Sequence, residues 1–447
     1  MNKFKVFFFI FLFLGSIAFI FGWSVVYGNY DKQNKIILFV KNFIPSSIAR
    51  KIRDTVFFIP DIITLNKDLT LQVKKYEQGY EGQLFQEKNI NIFNNNYNFK
   101  NFFLPFKRLD LRKGYQSQEN TYRAHYLEVL EDKILVLSGL GQTIYFDKKN
   151  INKSKLNQIE INNNLLDLIK EENLEFYGVR DLLVSNSKVY VSVIVKEIKG
   201  YTFYIYKSEL NFKKLNFELF FKTNDFFVDW SVSSGGRIEE FKDGKILFSL
   251  GYSGVFGAPQ DPSRLLGKIL SINLKNGDYK IISIGHRNPQ GLIYLNEKNL
   301  IINSEHGPKG GDEINFNYFD ENKIPNYGWD IVSYGIEYDG TDPYKRPHKE
   351  YGFIEPFKVF ETSIGISELV YLPKDENILS NTLIASSLRA GSLYFLNIKE
   401  DLSKIIKEYR VNFGNQRIRD LKYDQIEKKL YILFELTPSI GVLDLND

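Results

Sequence analysis

Arginine is the residue type through which this sequence could bind a ligand. Two strings share one local pattern, Val179-Arg180-Asp181-Leu182 and Ile418-Arg419-Asp420-Leu421. Arg417 lies two residues before Arg419 and so shares its face of a strand. Other arginines stand in Gly235-Gly236-Arg237, in Arg287-Asn288-Pro289-Gln290-Gly291 and at Arg389. A guanidinium pairs a carboxylate in bidentate fashion, and several on one rim repel one another unless a dianion or trianion lies between them. The competing reading pairs each arginine with a neighbouring carboxylate such as Asp181, Glu239 or Asp420. For one arginine that bland reading wins. For five or six on one rim the anion pocket is favoured.

A second cluster is Ser304-Glu305-His306-Gly307-Pro308-Lys309-Gly310-Gly311-Asp312-Glu313. Gly and Pro leave backbone carbonyls that calcium can use, and Asp312 and Glu313 can fix such a loop. Alone, this is a tight turn. Downstream, Asn326-Tyr327-Gly328-Trp329 and Ser333-Tyr334-Gly335-Ile336-Glu337 put carbonyls and a carboxylate in a long insertion, where a ligand rim is expected. With no Cys, disulfides, thiolate nucleophiles and Cys-based zinc sites are excluded. Four His (His125, His286, His306, His348) are too few for a multi-histidine metal centre. A bound metal would be a hard cation held by oxygens. The 58 basic and 54 acidic residues nearly balance, unlike the concentrated basic excess of a general nucleic-acid binder.

The elements that must position these residues repeat six times. A short apolar strand recurs at 134–137, 189–192, 246–249, 300–303, 383–386 and 430–433. A second strand follows each, at 143–146, 203–206, 268–271, 313–316, 392–395 and 441–444, and a third precedes each pair. The 38 Phe and 28 Tyr among 447 residues favour strands over helices. Six such repeats predict an all-β fold, a closed six-bladed propeller whose innermost strands bring their first residues to one axial mouth. Two stacked sandwiches would not explain the repeated strand order.

Before the propeller, Lys3 and Lys5 precede an uncharged run from Val6 to Tyr27, which as a helix reaches ~33 Å and spans a bilayer. The alternative is a cleaved signal peptide, with Val26-Tyr27-Gly28 as a weak cleavage site. The basic flank stays cytoplasmic. The expected organisation is therefore a membrane anchor over 1–30, a juxtamembrane helical stalk over 31–100 and a propeller over 101–447 on the exported, periplasmic or extracellular side. Within the stalk, Ser46-Ser47 caps a helix, and Asn91 to Asn98 reads as an Asn-rich loop.

Several strings together resemble the glucose/sorbosone dehydrogenase family, that of soluble glucose dehydrogenase and aldose sugar dehydrogenase. They are Gly285-His286-Arg287-Asn288-Pro289-Gln290-Gly291-Leu292, Glu305-His306-Gly307-Pro308 running to Asp312-Glu313-Ile314-Asn315, and Asn326-Tyr327-Gly328-Trp329. Leu266-Gly267-Lys268-Ile269-Leu270, Ser363-Ile364-Gly365-Ile366-Ser367 and Arg417-Ile418-Arg419-Asp420 extend the match. The resemblance covers about Phe102 to Asp447 and is specific from Trp230 onward. It implies a six-bladed propeller with PQQ, a tricarboxylate, over the mouth beside one calcium, oxidising a sugar or other hydroxylated substrate. By this resemblance PQQ would touch Arg287, Asn288, Gln290, Arg417 and Arg419, with Arg389 where the family usually has Lys. The carbonyls of Gly307 and Pro308 would ligate the cofactor calcium, and Ser333, Gly335 and Glu337 a second, structural calcium.

One departure matters most. The family's general-base His, four residues before Arg237, is here Ser233. A serine takes no proton at neutral pH without a base of its own, whereas His is poised for it. Two readings follow: a PQQ- and calcium-dependent oxidoreductase with altered base chemistry, or a non-catalytic ligand- or protein-binding propeller that keeps the fold. His125 could replace the base only if it reaches the mouth. A propeller hydrolase would want acidic metal ligands where this chain has arginines.

Overall fold

The computed structural model describes residues 81–106 and 124–446, except 152, 229–232, 375–378 and 415. The expected anchor and the stalk up to residue 80 lie outside the described residues. Among the described residues no helix is long and apolar enough to cross a membrane.

The Asn-rich stretch is where expectation and structure part. Rather than a loop ending a stalk, it is a hairpin of β1 (Leu84–Ile92) and β2 (Asn95–Phe103). Phe93 and Asn94 form the two-residue turn, with φ of 49° and 75°, the left-handed pair that suits a tight hairpin. Tyr97 and Phe99 alternate with exposed Asn96 and Asn98, so β2 buries one aromatic face. That face packs in the last blade, where β2 pairs antiparallel with the final strand, Phe99 opposite Leu443.

Six sheets follow, in the repeat order expected. Blade 1 holds β3 (His125–Val129), β4 (Lys133–Ser138), β5 (Thr143–Asp147) and β6 (Ile159–Asn163). Then comes the one α-helix among the described residues, α1 (Leu165–Glu171). Blade 2 is β7 (Glu175–Ser185), β8 (Lys188–Glu197), β9 (Gly200–Glu209) and β11 (Glu218–Lys222), while the short β10 (Lys214–Leu215) adds in parallel to β6. Blade 3 is β12 (Gly235–Phe241), β13 (Lys245–Leu250), β14 (Lys268–Asn273) and β15 (Tyr279–Ile284). Blade 4 is β16 (Pro289–Leu295), β17 (Leu300–Glu305), β18 (Asp312–Tyr318) and β19 (Lys358–Phe360). Blade 5 is β20 (Ile366–Leu372), β21 (Thr382–Ser387), β22 (Ser392–Ile398) and β23 (Ile405–Asn412). Blade 6 is β24 (Ile418–Asp424), β25 (Lys429–Phe434) and β26 (Ser439–Asp444), completed by β2 and β1.

Strands β3, β7, β12, β16, β20 and β24 each touch the next and close a ring. The hydrophobic core is correspondingly divided into six clusters, one at each junction between blades. The junction of blades 1 and 2 packs Leu135, Val179, Val191 and Tyr206. That of blades 3 and 4 is the smallest, around Phe241, Leu247, Ile269 and Ile301.

The inner strands carry a local irregularity that decides the site. Pairing slips between Val179 and Asp181, Gly235 and Ile238, Pro289 and Gly291, Ile366 and Leu369, and Ile418 and Asp420. The extra residues are Arg180, Gly236 with Arg237, Gln290, Ser367 with Glu368, and Arg419. A bulge frees a residue from the ladder and re-aims its side chain. Five of six inner strands therefore turn their first residues toward the mouth.

Candidate active site

Arg237 is the hub of the ring and not a free rim cation. Its Nη1 lies 2.8 Å from Asp181 of blade 2, 3.1 Å from Glu368 of blade 5 and 3.1 Å from Asp420 of blade 6. Its Nε donates to the Gln290 carbonyl of blade 4 at 2.6 Å and its Nη2 to the Arg419 carbonyl. The guanidinium also sits 5.1 Å from the centre of the Tyr126 ring of blade 1. Burial would lower its pKa, but the three carboxylates outweigh burial and raise it. Below it, Lys422 pairs with Glu128 at 2.9 Å, so this interior sets Glu128, Asp181, Glu239, Glu368 and Asp420 against Arg237 and Lys422. Burial pushes Glu128 up to about 7 and Glu239 to about 8.

At the mouth, Arg417 and Arg419 share one carboxylate. Their Nε atoms lie 2.9 and 2.5 Å from the two oxygens of Glu435. Burial works against that charge, yet the two arginines hold Glu435 down at about 2. Arg419 Nη1 then donates to Gln290 Oε1 at 2.9 Å, Gln290 Nε2 to Asn288 Oδ1 at 2.9 Å, and the Gly235 N–H to the same Asn288 oxygen. One hydrogen-bonded chain thus joins blades 3, 4 and 6. It gathers four residues expected at the cofactor, and for Arg417 and Arg419 the paired reading holds, with a partner the sequence did not single out. A signal existed: Glu435 follows Leu430 as Glu305 follows Leu300 in the repeat.

Glu305 does matching work in blade 4. It accepts from the Arg287 N–H and from His286 Nδ1, while His286 Nε2 meets Ser283 Oγ at 2.8 Å. This Ser–His–Glu chain has the order of a hydrolytic triad, but Ser283 and His286 are wholly buried, so it fixes the backbone and reaches no substrate. Arg287 lies against Tyr252 and Trp329, its guanidinium 5.7 and 5.1 Å from their ring centres. Its Nη1 donates to the carbonyls of His306 and Gly307 at 3.0 and 2.8 Å, and its buried Nε has no partner.

Those contacts bear on calcium. The Gly307 carbonyl is taken by a cation, and the Pro308 carbonyl accepts from Ser363 Oγ at 3.2 Å. At the second expected site Ser333 Oγ accepts from the Gly335 N–H, and Glu337 accepts from Tyr344 Oη. Among the described residues no group of three or more His, Asp or Glu could hold a metal. As arranged here, the Gly307 and Pro308 carbonyls, Ser333 Oγ and a Glu337 oxygen each accept from a protein donor.

Two rim arginines lack a carboxylate partner besides Arg287. Arg389 is exposed in the β21–β22 turn, its N–H bonded to the Ile364 carbonyl. Arg180, extra residue of the blade 2 bulge, has buried Nε and Nη2 atoms with no partner, and burial lowers its pKa to about 10. Ser233 is buried just before β12, where its carbonyl accepts from the Ser253 N–H. His125 opens β3 on blade 1, 1% exposed against the Phe106 ring, with both ring nitrogens unpartnered. Burial holds it at about 4, and the charges it feels are Glu435 and Arg419.

The ring of six four- and five-stranded sheets agrees with what a family comparison finds. The glucose/sorbosone dehydrogenase family model matches residues 178–439, more than half of the chain. The chain belongs to this family. Within the glucose/sorbosone dehydrogenases it is 28% identical over 204 residues to aldose sugar dehydrogenase YliI of Escherichia coli, covering 42% of this chain and 53% of that protein. It thus spans about half the length of the relatives it matches. The fold is shared with the apo aldose sugar dehydrogenase of Escherichia coli, at a TM-score of 0.57, 20% identity and coverage of 72% of this chain and 96% of that one. It is also shared with the PQQ-bound aldose sugar dehydrogenase of Streptomyces coelicolor, at 0.51, 17%, 72% and 98%.

Proposed function

We propose that the mouth binds PQQ and that the protein is an oxidoreductase acting on a sugar or other hydroxylated substrate. The observation that carries this is the pair of cations left without a carboxylate on blades 4 and 5, Arg287 with its buried, unpartnered Nε and the exposed Arg389. Buried unsatisfied donors on a cation are costly, and a ligand with several carboxylates would satisfy them. PQQ supplies the two-electron acceptor when bound. Arg287 and Arg389 would hold its acidic edge, with Asn288 and Gln290 fixed below by the Gly235 and Arg419 hydrogen bonds. A cofactor carboxylate on Arg417 or Arg419 would share them with Glu435.

Ser233 cannot act as the base, and His125 takes that role in this reading. It is neutral at pH 7 and feels the charges of Glu435 and Arg419, while the burial that holds it at about 4 makes it a weaker base than an ordinary imidazole. Calcium on the Gly307 carbonyl would lie close to the Arg287 guanidinium that donates to the same oxygen, and the two positive charges would repel. Arg287→Gln should therefore strengthen the calcium-dependent rise in melting temperature; a weaker or unchanged rise places calcium elsewhere.

The test of function titrates the full chain with PQQ, reading quinone absorbance, then adds an aldose and an artificial electron acceptor. Saturable binding, weakened roughly 10-fold or more in Arg287→Ala, with turnover abolished in His125→Ala, is the expected outcome. A binding-only propeller, the reading favoured by Ser233, would take up PQQ or another anion with no turnover. Absence of any PQQ binding would sink the oxidoreductase reading.

A further inference from the structure

Arg180 does not belong with the arginines expected to hold the cofactor. Those stand on blades 4, 5 and 6, at Arg287, Arg389, Arg417 and Arg419. Arg180 stands on blade 2, opposite blade 5 in the ring, and its neighbours are blades 1 and 3. Blade 1 brings His125 and Tyr126 to the mouth, and blade 3 brings Ser233 and Gly236. The ionisable groups whose charge Arg180 feels are Tyr126 and Arg419, and Arg419 repels it.

The obvious partner is already committed. Asp181 resumes the ladder after the bulge and gives one oxygen to Arg237 at 2.8 Å and the other to the Ile238 N–H at 2.7 Å. Arg180 is left with Nε and Nη2 out of water and unpaired. The backbone makes room for it there. Gly236 has φ of +105°, and a Cβ at that position would lie 2.5 Å from the Arg180 Cβ. A side chain on residue 236 would force Arg180 off the first residues of blade 3. On blade 1, His125 adds two more buried ring nitrogens with no side-chain partner.

We propose, on top of the oxidoreductase reading, that Arg180 binds a carboxylate of the substrate, so that the site takes an acidic sugar of the uronic acid class over a neutral aldose. The fork of Nε and Nη2 presents two parallel N–H groups, the geometry that receives a carboxylate bidentately. The blade 2 side of the mouth is then the substrate side, with the carboxylate on Arg180 and the sugar hydroxyls toward Ser233 and His125. The same donors would also accept a carboxylate of the cofactor, and the experiment separates these sources.

D-glucuronate and D-glucose are titrated calorimetrically into the full chain, with and without PQQ, for wild type, Arg180→Gln and Arg180→Lys. Glucuronate should bind wild type roughly 10-fold or more tightly than glucose, the size of a charge-assisted hydrogen-bonded contact. Arg180→Gln should erase that preference and Arg180→Lys should retain part of it, while PQQ affinity stays within about threefold. No preference for glucuronate in wild type, or one that survives Arg180→Gln, overturns the inference. A large loss of PQQ affinity in Arg180→Gln with no glucuronate preference assigns the carboxylate to the cofactor; it overturns the inference and leaves the oxidoreductase reading intact. A glucuronate preference lost in Arg180→Gln, in a protein that takes up no PQQ, supports the inference and removes the oxidoreductase reading. Melting curves of both variants establish that they fold.

Discussion

Glu435 decides how much of the arginine set is available to a ligand. It is 4% exposed and holds two guanidiniums, so any anion that binds Arg417 or Arg419 must compete with it. Glu435→Gln should tighten PQQ binding while destabilising the fold by about 3 kcal/mol, the low end for breaking a buried ion pair. Quinone titration and urea unfolding measure the two effects; weaker PQQ binding in the variant would show that Glu435 positions the arginines for the ligand. The arginines themselves were legible from the sequence, because their strings repeat. Their partners were not. Asp181 and Asp420, the neighbours in sequence, serve Arg237 across the ring. Glu368 and Glu435 come from other strands; Glu435 is marked only by its place in the repeat, matching that of Glu305, and Glu368 by nothing in the linear sequence.

At the scale of elements, β2 shows how composition misleads. Asn disfavours strands, and Asn95 to Asn98 holds three of them, yet the strand is paid for by Tyr97, Phe99 and Phe102 on its buried face. Alternation was present in the sequence, but a short run of it, following a polar stretch, looks like a loop. Phe99 packs on Phe413, Phe434 and Gly441. Phe99→Ala should cost about 3–5 kcal/mol, as for other fully buried Phe side chains. Denaturant unfolding checks this, and a loss below about 1 kcal/mol would mean the hairpin is a detachable edge. The bulges, in contrast, left no trace in the sequence. They arise where inner strands meet at the ring, and only pairing reveals that Arg180, Gln290 and Arg419 are extra residues.

For the molecule as a whole, the channel interior sets the response to pH. Five carboxylates face two cations there, so not all can ionise together at neutral pH. Burial raises Glu128 to about 7 and Glu239 to about 8 from a usual 4.5. Because these folded values lie above the unfolded ones, their contribution is complete below about pH 4.5 and is lost as pH rises through 7 to 8. Melting temperature should therefore fall between pH 6 and 9, and Glu239→Gln should flatten the slope; an unchanged slope would place the titration elsewhere. The six-fold repeat predicted this ring from the sequence, and its closure has a temporal consequence. Phe99 pairs with Leu443, so the outer strands of the last blade are made first and their template strand last. Pairings so distant in sequence are slow to form. Until β26 leaves the ribosome, β1 and β2 have no sheet to join, and five blades of a six-bladed ring must wait with an open seam. A chaperone that masks the aromatic face of β2 during that interval would raise the yield of folded protein without touching its final stability.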